Sequence, residues 1–203
     1  IQTTFDKHLL EDYYLPFKQK RKSKATLAKE AGLEPLADWI WGVGHGTVTP
    51  AEGQTLEIWA FTFKNEEKGF KDAESAISGA TDILIERLSE NLTLRQAVRD
   101  SYMSRGFLKT LKGEKSKPNS KYQNYFEYEE KVTSLLEPRS THRYLAIRRG
   151  WIEEELSISF SGSKNDPTFE ADLLNIFNTA AAAGNNTMVK PILEKAARIA
   201  VKA

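Results

Sequence analysis

The chain has 203 residues, 40% of them apolar and 28% charged, which suits one sizeable core or two small ones and excludes wholesale disorder. Lysine and arginine total 29 against 28 acids, a net charge of +1, so any attraction to nucleic acid must come from local patches rather than the mean field. The lack of cysteine removes disulfides, thiolate zinc sites and cysteine nucleophiles together, and no apolar run approaches the ~20 residues that span a bilayer.

In chain order, residues 1–14 read as the tail of a helix with Phe5, Leu9, Leu10 and Tyr13 roughly on one side, ended by Pro16. Residues 18–24 then place five cations in seven positions. Ser23 is an N-cap for a helix over 24–31, closed by Gly32. Pro35 falls in the first turn of a helix carrying Leu36, Trp39 and Ile40, which stops in the glycine-rich 42–46. Thr49-Pro50 is expected to restart a helix through Leu56, Trp59 and Phe63. The clearest periodicity covers 72–90, where Ala73, Ala76, Ile77, Ala80, Leu84 and Leu88 recur at steps of three and four. Another helix is expected over 93–105.

Residues 107–113 and 156–162 alternate well enough to be short strands. Between them lie a polar linker over 114–120, taken as a sub-boundary, and two helices around 122–136 and 141–151. Asp166-Pro167 opens a helix to Ala183, and Thr187 starts a last one with Val189, Ile192, Leu193, Ala196 and Ala200 on one face. The expected fold is mainly α: an elongated multi-helix body with one short antiparallel strand pair. The three tryptophans Trp39, Trp41 and Trp59 fall on apolar helix faces and are expected in the core. The chain opens on Ile1 and its last helix runs uncapped to Ala203, so it is expected to be a piece of a longer protein.

Candidate chemistry is sparse. His8, His45 and His142 show no metal-ligand spacing and suit surface or cap roles. The 42–46 stretch follows a helix rather than a strand and lacks the Lys-Ser/Thr ending of a phosphate loop, so it reads as a helix stop. The acids Glu153, Glu154 and Glu155, and Glu127, Glu129 and Glu130, point in different directions along their elements and suit solvated faces. No catalytic residue, cofactor or metal is assigned, and no enzyme, small-molecule substrate or membrane partner is expected.

The basic groups remain. If the five cations Lys18, Lys20, Arg21, Lys22 and Lys24 each neutralised one phosphate of a single strand, log affinity would fall with log salt at a slope of about −3.5. Tyr13, Tyr14 and Phe17 beside them offer stacking surfaces; the plainer alternative is a solvated connection with the rings in the core. A second group comprises Arg139, Arg143, Arg148 and Arg149, of which Arg143, Arg148 and Arg149 are the nucleic-acid candidates. Ser140 or Thr141 would cap their helix. Arg148 and Arg149 near its C-terminus suit the helix dipole, whereas Arg143 near the N-terminus opposes it and needs a partner. That partner is a phosphate or a carboxylate such as one of 153–155.

Three stretches carry a resemblance. LEDYYLPFKQKRKSKATLAKEAGLEPLAD over 10–38 is similar to a signature of the Tex family of bacterial transcription accessory proteins. GATDILIE over 79–86 resembles that family's GA-x-DIL-x-E piece. YFEYEE over 125–130, with THRYLAIRRG over 141–150, resembles its YF-x-Y-x-E and SHR-x-LA-x-x-RG pieces, Thr141 standing for the serine. The resemblance implies a cytoplasmic, elongated, largely helical protein in which this N-terminal helical region, 1–203, precedes an RNase-H-like domain, helix-hairpin-helix elements and a C-terminal OB-type RNA-binding domain. It implies RNA or DNA as partner through the parent protein, and contact with the transcription machinery. Two functions follow: a helical scaffold whose basic segments form an auxiliary phosphate-contacting surface, or a purely structural, protein-interaction module.

Overall fold

The computed structural model describes residues 7–14 and 23–203; the basic positions Lys18, Lys20, Arg21 and Lys22, with Phe17, lie outside them. The chain divides into two compact units, Ile1–Arg95 with Leu174–Ala203, and Gln96–Leu173. Each is mainly helical or built around a small antiparallel sheet, as the periodicities predict.

In the first unit, α1 (Lys7–Tyr14) is followed by α2 (Lys24–Glu30), whose Ser23 hydroxyl accepts from the Thr26 amide at 3.1 Å. Gly32 takes the left-handed conformation that ends α2, with φ of 85°. Next come α3 (Glu34–Gly44) and α4 (Leu56–Phe61). The glycines of 42–46 do more than stop α3. A Cβ on Gly44 would lie 2.5 Å from the end of the Leu193 side chain, so this glycine leaves room for that neighbour. Thr49-Pro50 does not restart a helix as expected. The chain turns through 51–54, and Thr55 caps α4 by accepting from the Ile58 amide.

α5 (Ala73–Ser89) is the centre of this unit and packs against α2, α3, α4 and a last helix, Lys190–Ala200. Asp72 begins α5 with a reciprocal capping box to Ser75. Because four helices surround it, α5 buries Gly79, Thr81 and Ile83 beyond the single stripe read from its period. Trp39 is buried and stands 6.3 Å from the half-buried Trp59.

The division between units falls within α6 (Leu92–Arg105) and within a later helix, Phe169–Ala180. In the second unit, β1 (Gly106–Lys112) lies between β2 (Glu129–Lys131) and a third strand, Leu156–Gly162, all antiparallel. The expected strand pair is therefore present, with a strand added where a helix over 122–136 is expected. The reason is local. Glu127 adopts φ of 59°, which no helix tolerates, and the buried Thr110 donates its amide to the Tyr128 carbonyl at 2.8 Å and its hydroxyl to that of Tyr125. What remains helical there is a 3-10 turn, Gln123–Tyr125, and the single turn α7 (Val132–Leu135). The polar stretch 114–120 lies inside this unit.

A 3-10 turn, Pro138–Ser140, leads into α8 (Thr141–Ile152), and β3 (Leu156–Gly162) follows. α8 lies against β3. Gly150 permits the approach: a Cβ there would meet Leu156 at 2.6 Å. α9 (Phe169–Ala180) and α10 (Lys190–Ala200) complete the chain. Both start later than Asp166-Pro167 and Thr187 suggest, because those residues form the preceding turns.

Candidate nucleic-acid interface

α8 carries no acid between Thr141 and Ile152, and its three arginines meet different fates. Arg143 is engaged. Its Nη2 donates to Glu130 Oε1 at 2.6 Å and its Nε to Oε2 at 3.2 Å, while Nη2 also reaches Ser140 Oγ at 2.6 Å. The partner that the helix dipole demands is thus a carboxylate of β2, Glu130, rather than one of 153–155. Ser140 spends its hydroxyl on this contact and Thr141 donates its own to the Pro138 carbonyl at 2.8 Å, so neither side chain caps α8. Tyr128 also donates to Glu130. Burial raises the Glu130 carboxyl, but the Arg143 and Tyr128 hydrogen bonds outweigh it and hold the group below the usual carboxylate range.

Arg148 and Arg149 are exposed, and neither side chain has a carboxylate or hydrogen-bond partner among the described residues. At about 100° per residue, Arg148 stands roughly 140° around α8 from Arg143. The helix therefore separates one structural arginine from two solvated ones. Two of the acids that follow it are otherwise occupied, Glu153 by Lys121 at 3.1 Å and Glu154 by Lys115 at 2.8 Å, while Glu155 is buried rather than on a solvated face.

Beside Arg148 an open groove of about 290 Å³ runs between α8 and β3. Buried Leu108 and Ile147 form its floor. Tyr144, Arg148 and Trp151 wall it from α8, and Ile158 and Phe160 from β3. Positions 144, 148 and 151 share one helix face by the i, i+4, i+7 rule. On β3, Leu156, Ile158 and Phe160 share a face and pass from buried through half-buried to exposed. Tyr144, Trp151 and Phe160 are 45%, 54% and 54% exposed, an unusual concentration of solvated rings. Sequence reasoning did not single these rings out. The spacing of Tyr144 and Trp151 around Arg148 was readable, but whether another element covers them was not.

In the first unit, Lys24 is exposed at the start of α2, close enough to Asp82 to draw its carboxyl downward. Burial is the larger influence, and Asp82 stays raised. Tyr13 and Tyr14 are exposed on α1 rather than in a core. His45 is a bridge: its ring nitrogens lie 2.9 Å from the Trp41 carbonyl and 3.1 Å from the Ala180 carbonyl. Among the described residues no three of His, Asp and Glu are grouped to hold a metal ion, and no helix is long and apolar enough to cross a membrane.

The Tex central region-like family model matches residues 52–202. The chain belongs to the Tex family. Relatives in it include the transcriptional accessory protein Tex of Neisseria gonorrhoeae, 34% identical over 167 residues that cover 82% of this chain and 20% of that protein. Protein tex of Bordetella pertussis is 38% identical over 152 residues, 74% of this chain and 18% of the relative. Protein YhgF of Escherichia coli is 35% identical over 171 residues, 84% of this chain and 20% of the relative. The chain spans about a fifth of the length of the curated Tex relatives it matches. The matched Tex model describes a central region, and the basic run at 18–24 precedes it.

Proposed function

We propose that this chain is the helical scaffold of a cytoplasmic, Tex-type transcription accessory protein, standing N-terminal to an RNase-H-like domain and OB-type module, and that its cationic segments touch RNA or DNA. Lys18, Lys20, Arg21, Lys22 and Lys24 form one contact segment, and Arg148 and Arg149 the other. Arg143 positions α8 and contributes little free charge. No reaction is assigned to it.

The observation that carries this reading is the pair Arg148 and Arg149, exposed and unpaired on an acid-free helix. Beyond their favourable place near the C-terminal end of α8, no ion pair among the described residues ties those two charges into the second unit, whereas Arg143 is bound to Glu130. The name of the Neisseria gonorrhoeae relative, a transcriptional accessory protein, supplies the setting, and phosphate is the anion that setting offers in abundance.

The test compares single-stranded RNA and DNA binding by the whole chain, a Lys20/Arg21/Lys22→Glu variant and an Arg148/Arg149→Glu variant. Both variants are expected to weaken binding, most strongly at low salt. Affinity unchanged in both, with the chains folded, assigns the region instead to structural docking on the transcription machinery or on the parent's other domains.

A further inference from the structure

The α8/β3 groove is more specific than a patch of charge. Its apolar walls are dominated by three solvated rings, two of which, Tyr144 and Trp151, have no aromatic partner among the described residues; Phe160 meets only Tyr102, edge-on at 6.4 Å. Tyr144 and Trp151 are two turns apart, a separation along the helix of about 10.5 Å. That is close to three base steps at ~3.4 Å. Arg148 projects between them on the same face, and Arg149, with Leu145 and Ile152 on its own stripe, flanks it.

We propose that this groove seats the unpaired bases of a single nucleic-acid strand against Tyr144, Trp151 and Phe160, while Arg148 and Arg149 hold its phosphates. This rests on the reading above and deepens it, because it names the strand state recognised. Charge decides the occupant. An apolar groove alone would accept any apolar surface, but here the helix that walls it carries only cations, and two of the three, Arg148 and Arg149, are left unpaired among the described residues. A single strand offers regularly spaced anions beside planar apolar faces, the combination that aromatic-and-arginine surfaces take up. A duplex cannot use the rings, since its bases are already stacked on one another. The floor made by the buried Leu108 and Ile147 is apolar and offers no side-chain hydrogen-bond partner at the inner edge of the groove.

The experiment measures binding of the whole chain to three fluorescent probes: oligothymidylate, an abasic strand of equal length and a duplex of equal length. Oligothymidylate is expected to bind more tightly than the other two. Trp151→Leu, which keeps apolar bulk without a ring, is expected to weaken oligothymidylate on the order of tenfold and to leave the abasic strand unchanged. Trp151→Phe restores the loss, which separates stacking from misfolding. Arg148→Gln with Arg149→Gln weakens both strands and reduces the salt slope by about 1.4. Equal binding of thymidylate and abasic strands, or no effect of Trp151→Leu, overturns base seating and leaves the phosphate-contact reading in place. No binding of any probe at low salt overturns both. Quenching of tryptophan emission by an acidic amphipathic peptide, absent in Trp151→Leu and with no effect of oligothymidylate, makes the groove a peptide site and overturns the proposal.

Discussion

Arg143 grips Glu130 with a forked ion pair, Nη2 to Oε1 at 2.6 Å and Nε to Oε2 at 3.2 Å, and so ties the first turn of α8 to strand β2. The same guanidinium reaches Ser140, and Glu130 also accepts from Tyr128, so four side chains close one network. A planar guanidinium suits this two-point geometry, which a lysine would not reproduce.

Arg143→Gln is therefore expected to lower the melting temperature while weakening single-strand binding less than Arg148→Gln with Arg149→Gln does. Thermal unfolding and a binding titration on the same samples check it. The reverse order of effects would place Arg143 in the contact surface.

The network also predicts an acid limb. Glu130 lies below its ordinary range because the Arg143 and Tyr128 hydrogen bonds outweigh burial, and Asp166 does so because Arg105 and Thr168 donate to it. A carboxylate with a depressed folded-state value binds protons less readily than in the unfolded chain. Its contribution is complete above about pH 4–5 and is lost as pH falls through the folded value. Melting temperature measured from near-neutral to strongly acidic pH should fall in that window, and the fall should be shallower in Glu130→Gln.

At the alkaline end the sign reverses. Burial, reinforced by the bond to Glu130, pushes the Tyr128 phenol up to about 12. A raised phenol contributes stability that is complete below about pH 10 and is lost as pH rises toward the folded value. Burial, then the Glu170 charge, also raises Tyr102. Ultraviolet titration should therefore show late ionisation from Tyr128 and Tyr102, and Tyr128→Phe should remove the later-ionising contribution.

Gly150→Ala tests the seam under the groove. The added Cβ would stand 2.6 Å from Leu156 and 3.2 Å from the Tyr122 ring. Leu156 is fully buried and has little room to yield. Overpacking of about 1–3 kcal/mol is expected to exceed the ~1 kcal/mol that alanine gains over glycine in a helix. Urea unfolding should show net destabilisation; a stabilised variant would mean that α8 and β3 are free to part.

The parts of the fold that were readable in advance are those written locally. Ser23 caps α2 because a side-chain oxygen three residues before an amide is a short-range arrangement, and α5 shows much of its core in its own period. β2 was hidden because three residues, two of them acidic, have no period, and their pairing is with β1 some twenty positions away. The left-handed Glu127 that turns the chain into β2 has no signature in an acidic residue. At the site, the dipole argument isolated Arg143 as the cation needing a partner, but only tertiary structure could supply Glu130. The groove stayed unread because Tyr144, Trp151 and Phe160 become a surface only if α8 and β3 leave them uncovered.

The central claim is that the cationic segments of this Tex-family chain meet phosphates. The most direct measurement is the slope of log affinity against log salt for a single-stranded RNA binding the whole chain. Seven contacts, from Lys18, Lys20, Arg21, Lys22, Lys24, Arg148 and Arg149, would give about −5, and the 18–24 segment alone about −3.5, at ~0.7 per contact. A slope between those values is the predicted result, and a slope near zero, or no binding at low salt, would contradict it.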